Sequence, residues 1–104
     1  MLLEINDGED CTIIKFNTHK LLGTEGVEFQ NSIVNTLDKG VKSIAVDLSS
    51  IEYVTSWGIG MLVHAFTTCT NREANYSLIG VNKRVKDIFR IIKIDTILPI
   101  HDSV

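Results

Sequence analysis

From residue 24 onward the chain alternates segments of helical period with short apolar runs, and that alternation limits it to a sheet crossed by helices. Ser43-Ile44-Ala45-Val46-Asp47-Leu48 is mostly apolar and free of breakers, the pattern of a buried strand. Tyr76-Ser77-Leu78-Ile79-Gly80-Val81 predicts another, and Ile97–Ile100 a short last one. Between them lie three helical patterns. The first predicts Thr24 as N-cap, Val27, Phe29, Ile33, Val34 and Leu37 on one face, and a stop at Gly40. The second starts near Ser56, with Ile59, Leu62, Val63, Phe66 and Cys69 as its core stripe. Asn82 caps the third, whose Val85, Ile88, Phe89 and Ile92 fall at i, i+3, i+4 and i+7.

Ahead of these, Leu3–Ile5 and Thr12–Phe16 read as strands of a hairpin turning at Asp7-Gly8-Glu9-Asp10. The order is β-β-α-β-α-β-α-β. Right-handed crossovers then imply an α/β fold: a small mixed, mostly parallel sheet of four or five strands, with an antiparallel edge. Val46, Leu62, Phe66, Ile79, Ile88 and Phe89 are expected in its core. With 104 residues, one proline and no low-complexity linker, a single domain spanning 1–104 is expected.

Composition bears on function mainly by exclusion. A net charge of −3 gives no electrostatic reason to expect nucleic acid. No apolar run approaches the ~20 residues of a membrane span, and the N-terminus lacks the pattern of a secretory signal. Cys11 and Cys69 are isolated, the usage of free thiols in a reducing cytoplasm. His19, His64 and His101 are scattered and predict no metal site. No glycine-rich phosphate loop, nucleophile–base arrangement or other cofactor signal stands out, so a protein that binds without catalysing is expected, with no cofactor. Asp47 at a strand end lacks the acidic pair of a receiver domain and reads as a turn-forming carboxylate. Lys83, Lys86, Arg90 and Lys93 read as a solvated basic stripe.

The stretch Val46-Asp47-Leu48-Ser49-Ser50-Ile51-Glu52-Tyr53-Val54-Thr55-Ser56-Trp57-Gly58-Ile59-Gly60 resembles the signature of the STAS family: strand, Asp-Leu-Ser, an apolar-aromatic step, then Asp-Ser-Ser-Gly-Leu opening a helix. Downstream, Leu78-Ile79-Gly80-Val81-Asn82 and Ile94-Asp95-Thr96-Ile97-Leu98-Pro99-Ile100 are similar to that family's next strand and cap and to its closing strand. The resemblance covers nearly the whole chain. It implies helices mainly on one face of the sheet. It also implies a cytoplasmic anti-sigma factor antagonist, a partner-switching component recognised by a serine/threonine kinase anti-sigma factor and reset by a phosphatase. Ser56 takes the place of the family's phosphorylated serine. The sequence departs from the pattern at Thr55, where the family has Asp, and at Trp57, where it has Ser or Ala. It also stops at Val104, where the family's final helix would begin, so that helix is expected to be missing or very short.

The residues support such a site independently. A serine at a strand-to-helix turn is exposed beside unpaired helix N–H groups, where a phosphate is stabilised. Ser56 is therefore the expected phosphorylation site, with Thr55 the weaker choice, and either can cap the helix. At about 100° per residue, Trp57, Met61, His64 and Thr68 share a face opposite the core stripe. Thr55, Ser56, Trp57, Met61 and His64 are the expected partner surface, with Trp57 its anchor. Two other functions compete: a non-switching scaffold subunit of a larger signalling or lipid-transport assembly, open to homo-oligomers, and a small ligand- or nucleotide-binding module.

Overall fold

The computed structural model describes residues 3–8 and 10–101. Glu9 of the expected turn, and the last three residues, where the family's final helix, expected to be missing or very short here, would begin, lie outside them. Five strands, β1 (Leu3–Asp7), β2 (Thr12–Phe16), β4 (Ser43–Asp47), β6 (Asn75–Ile79) and β7 (Ile100–His101), form one sheet in the order β1-β2-β4-β6-β7. β1 runs antiparallel to β2, with Leu3 opposite Phe16. The other pairings are parallel, and Ile14, Val46, Leu78 and Ile100 lie side by side across them. Helices α1 (Gly26–Asp38), α2 (Ser56–Asn71) and α3 (Lys83–Ile91) connect these parallel strands.

Strand alternation sorts the side chains by face. Ile14 and Phe16 of β2, Ile44 and Val46 of β4, and Tyr76 and Leu78 of β6 join one apolar core with Phe29, Ile33, Leu62, Ala65, Val85 and Phe89 from the three helices. Ala45 and Ile79 point the other way and stand outside that core, although both are buried. All three helices thus pack on one face, as successive right-handed crossovers in one direction require. The Phe16 and Phe29 rings meet at 5.0 Å, and the buried Tyr76 hydroxyl donates to the Leu62 carbonyl at 3.0 Å.

Several sequence expectations are corrected. α1 is capped by Glu25, not Thr24, and the Glu25 side chain makes no bond to its own helix end. Val27 is 76% exposed, because two residues from Phe29 is about 200° around the helix, the opposite face. Phe66 and Ile88 are only partly buried at the core's edge, and Ile92, the C-cap of α3, is exposed. Ile97 is not in a strand: Ile94–Thr96 form a 3-10 turn, and β7 begins only at Ile100, after Pro99. Gly40 does close α1, with φ +91 just beyond the Lys39 cap.

A second, two-stranded sheet was not foreseen. β3 (Lys20–Leu21) lies parallel to β5 (Tyr53–Val54). Two residues each carry no periodicity to read. This small sheet joins the segment before α1 to the segment before α2.

Candidate functional site

The N-terminus of α2 is built around Thr55. In extended conformation (φ −104, ψ 170), it is the N-cap, and its hydroxyl oxygen accepts from Gly58 N–H at 3.1 Å. The same hydroxyl donates to the Leu22 carbonyl at 3.0 Å, while Thr55 N–H donates to the Leu21 carbonyl at 3.0 Å. Ile59 N–H bonds to the Thr55 carbonyl. The Thr55 hydroxyl is therefore engaged as donor and acceptor, and it stitches the end of β3 to the start of α2.

Ser56, the first residue of α2, is exposed, and its hydroxyl makes no hydrogen bond among the described residues. It stands where helical N–H groups lack carbonyl partners and the helix dipole is positive. Trp57 follows, 79% exposed. Close packing behind these residues depends on two glycines. A Cβ on Gly23, whose φ is +98, would lie 2.5 Å from the Trp57 Cβ, and one on Gly58 would run into the Leu21 carbonyl oxygen.

His64 is exposed on α2, but Met61 is not an outward contact. It is 9% exposed and belongs to the core. The buried stripe of α2 runs through Gly58, Met61, Leu62, Ala65 and Cys69, turned toward Met61 because α1 packs on that side. Gly26 of α1 sits over the Met61 sulfur, and the Gln30 amide donates to the Thr68 hydroxyl at 2.9 Å. Between the helices lies a groove of about 470 Å³, floored by Gly26 and Met61 and flanked by Val27, Gln30 and His64. The expected residues thus divide: Ser56, Trp57 and His64 face solvent, Thr55 is half-buried in the cap, and Met61 forms the floor.

The loop before α1 was missed by sequence reasoning. Glu25 is 8% exposed, and one of its carboxylate oxygens accepts from Leu22 N–H at 3.2 Å and Gly23 N–H at 2.9 Å. The sequence signal was an acidic residue directly before Gly26 and two positions after Gly23, which names no contact.

Charge is unevenly placed. Neither α1 nor α2 contains a lysine or arginine, whereas α3 carries Lys83, Arg84, Lys86 and Arg90. Arg90 pairs with Asp87 at 3.2 Å. His19 approaches Glu52 at 3.6 Å on the exposed side of the small sheet. Burial pushes the Cys69 thiol up to about 11, opposed by Arg72, and raises the Tyr76 hydroxyl well above its usual range. Neither suits proton transfer near neutral pH. Among the described residues no group of three or more His, Cys, Asp and Glu could hold a metal ion, and no helix is long and apolar enough to cross a membrane.

Residues 4–104 match the model of the STAS domain family. A Thermotoga neapolitana protein, described as a candidate anti-sigma factor antagonist, is 28% identical over 68 residues, 65% of this chain and 60% of that relative. The chain thus matches less than two thirds of that relative's length. A crystal structure described as a candidate anti-sigma factor antagonist from Thermotoga maritima has a TM-score of 0.85 at 21% identity, covering 98% of this chain and 87% of that one. The anti-sigma factor antagonist SpoIIAA is similar in fold in its unphosphorylated form, with TM-score 0.72, 12% identity and coverages of 98% and 89%. The phosphorylated form of this Bacillus cell-fate determinant has TM-score 0.70, 11% identity and coverages of 95% and 90%.

Proposed function

From the premise that the chain belongs to the STAS domain family, we propose that it is a single-domain, cytoplasmic anti-sigma factor antagonist that works by binding, not catalysis. Its partner is a serine/threonine kinase of the anti-sigma type. The kinase moves the γ-phosphoryl of ATP to the Ser56 hydroxyl, releasing ADP, and the phosphorylated surface lets the partner go. A phosphatase hydrolyses the phosphoserine and resets the surface.

One observation carries the reading: an exposed Ser56 opens α2 beside a 79% exposed Trp57, while Thr55 holds the cap. The reacting hydroxyl is free, and modifying it breaks no bond that holds the helix end. A phosphate adds roughly −1.5 to −2 charges at a helix end that stabilises anions. α1 and α2 offer no lysine or arginine to neutralise it, so the partner meets the new charge. Thr55 is the poorer acceptor, because phosphorylation there would break the cap and the tie to Leu22. Trp57 is the anchor of the docking surface, with His64 at its border and Met61 supporting it from below.

A scaffold role is favoured by a different observation. Among the described residues no helix covers the second face of the mainly parallel sheet, where Ala45 and Ile79 lie, and such sheets are ordinarily covered on both faces. Affinity capture with the wild-type chain and Ser56→Asp, followed by mass spectrometry of the wild-type chain incubated with the captured kinase and ATP, separates the two. Capture of a kinase by wild type but not by Ser56→Asp, with phosphate on Ser56, is the expected result. Equal capture by both, with no phosphate on Ser56, would leave the scaffold reading.

A further inference from the structure

We propose that Glu25 is a positioning residue for the partner surface: its buried carboxylate fixes the Leu22–Gly23 backbone on which Trp57 rests. This deepens, and rests on, the reading of Trp57 as the partner anchor.

A carboxylate at a helix start usually serves its own helix, by capping or through the dipole. Glu25 makes no side-chain bond to its own helix end. It turns back instead, and one oxygen takes the N–H groups of Leu22 and Gly23, at 3.2 and 2.9 Å. The residue is 8% exposed, so those bonds are sheltered from water, where charge-assisted bonds to backbone are strongest.

The Leu22 peptide is then held from both sides. Glu25 accepts from its N–H, and the Thr55 hydroxyl donates to its carbonyl at 3.0 Å. Gly23 comes next, with φ +98, and its Cα lies so close to the Trp57 Cβ that there is no room for a methyl between them. The chain of contacts runs from the Glu25 carboxylate through Leu22 and Gly23 to the backbone that aims Trp57. A tryptophan this exposed has little of its own side chain packed to orient it. Its direction is set from beneath, and fixing an anchor before binding cuts the ordering cost at the interface.

The test uses Trp57 as its own reporter, because it is the only tryptophan in the chain. Glu25→Ala removes the acceptor. Glu25→Asp shortens the reach by one methylene but keeps a favoured N-cap residue, so it guards against a variant that merely unfolds. Glu25→Gln keeps an oxygen acceptor at full length. Tryptophan fluorescence anisotropy and the indole N–H resonance are measured on the protein alone, beside thermal melts. Kd for the kinase obtained by capture is measured in parallel.

Folded Ala and Asp variants should show lower anisotropy, a displaced indole resonance and kinase binding about tenfold weaker. Glu25→Gln should restore all three. Wild-type indole signals in folded Glu25→Asp would overturn the positioning role, as would a Gln variant that behaves like Asp. Displaced indole signals with unchanged kinase binding would uphold the link from Glu25 to Trp57 and overturn the anchor reading on which its function depends.

Discussion

Replacing Thr55 by valine keeps the β-branched shape and nearly the volume but deletes one oxygen, so it isolates the hydroxyl's contribution. That hydroxyl accepts from the N–H of Gly58, a buried residue, and donates to the Leu22 carbonyl. Loss of an N-cap typically costs about 1 kcal/mol and up to ~2. The upper end applies because Gly58 is buried in the first turn of α2, where no intrahelical carbonyl can replace the lost acceptor. Leu22 is 38% exposed, so water can reach the neighbourhood of its carbonyl, and the second bond contributes about 0.5–1 kcal/mol. The sum is about 2–3 kcal/mol. A small domain melts roughly 4–8 °C lower per kcal/mol, so Thr55→Val should lower Tm by about 8–24 °C in differential scanning calorimetry. Ser56→Ala is the control. Its side chain bonds nothing among the described residues, and its Tm should move by no more than about 3 °C. A Thr55→Val loss below about 4 °C, or a Ser56→Ala loss as large as that of Thr55→Val, would refute the assignment of the cap to Thr55.

Met61→Ala should destabilise by about 2–4 kcal/mol, as expected for truncating a buried methionine, and urea titration would show this as a lower midpoint. Trp57→Ala should leave the unfolding free energy from the same titration within about 0.5 kcal/mol of wild type yet weaken kinase binding by at least about thirtyfold in calorimetry, the signature of an interface anchor. The buried Cys69 thiol ionises at about 11 instead of its ordinary 9.0. The unfolded chain therefore gives up that proton first, so stability should hold up to about pH 9 and then fall as pH approaches 11. Cys69→Ala should remove the part of this decline that begins near pH 9 in melts run across that range, leaving the part that the raised Tyr76 hydroxyl adds at higher pH. A thiol reagent at neutral pH should label Cys11, which is half-buried, far faster than Cys69, which is fully buried.

The order of the main strands and all three helices was legible because each carries enough residues for its period to show. Val46, Leu62 and Phe89 are buried as that period requires. Errors arose where a neighbour, not the element itself, decided the outcome. Met61 shares a face with Trp57 on a helical wheel, yet α1 lies against that side through Gly26 and covers it. Thr24 is a better cap by type than Glu25, but Glu25 takes the position and spends its carboxylate on the preceding loop. Val27 is the exception: no neighbour is involved, because its own spacing from Phe29 already sets it on the face opposite the core. The serine of the site could be read from the family pattern and from its place before a helix. The loop behind Trp57 could not, since Leu22, Gly23 and Thr55 meet only through a fold that brings residues more than thirty apart together.

The cap rests on Thr55 while Ser56 and Trp57 point into solvent, so if those two carry recognition as proposed, recognition and folding draw on different neighbouring side chains. After gene duplication, one copy can exchange its tryptophan for another residue and lose its old partner without first acquiring a compensating stabilising change. Thr55, Gly23 and Gly58 have no such freedom, since Thr55 and Gly58 are held against Leu21 and Leu22, and Gly23 against Trp57. On that proposal, divergence between sister proteins of this shape should concentrate on the two outward positions, and a change of partner is reachable in single mutational steps.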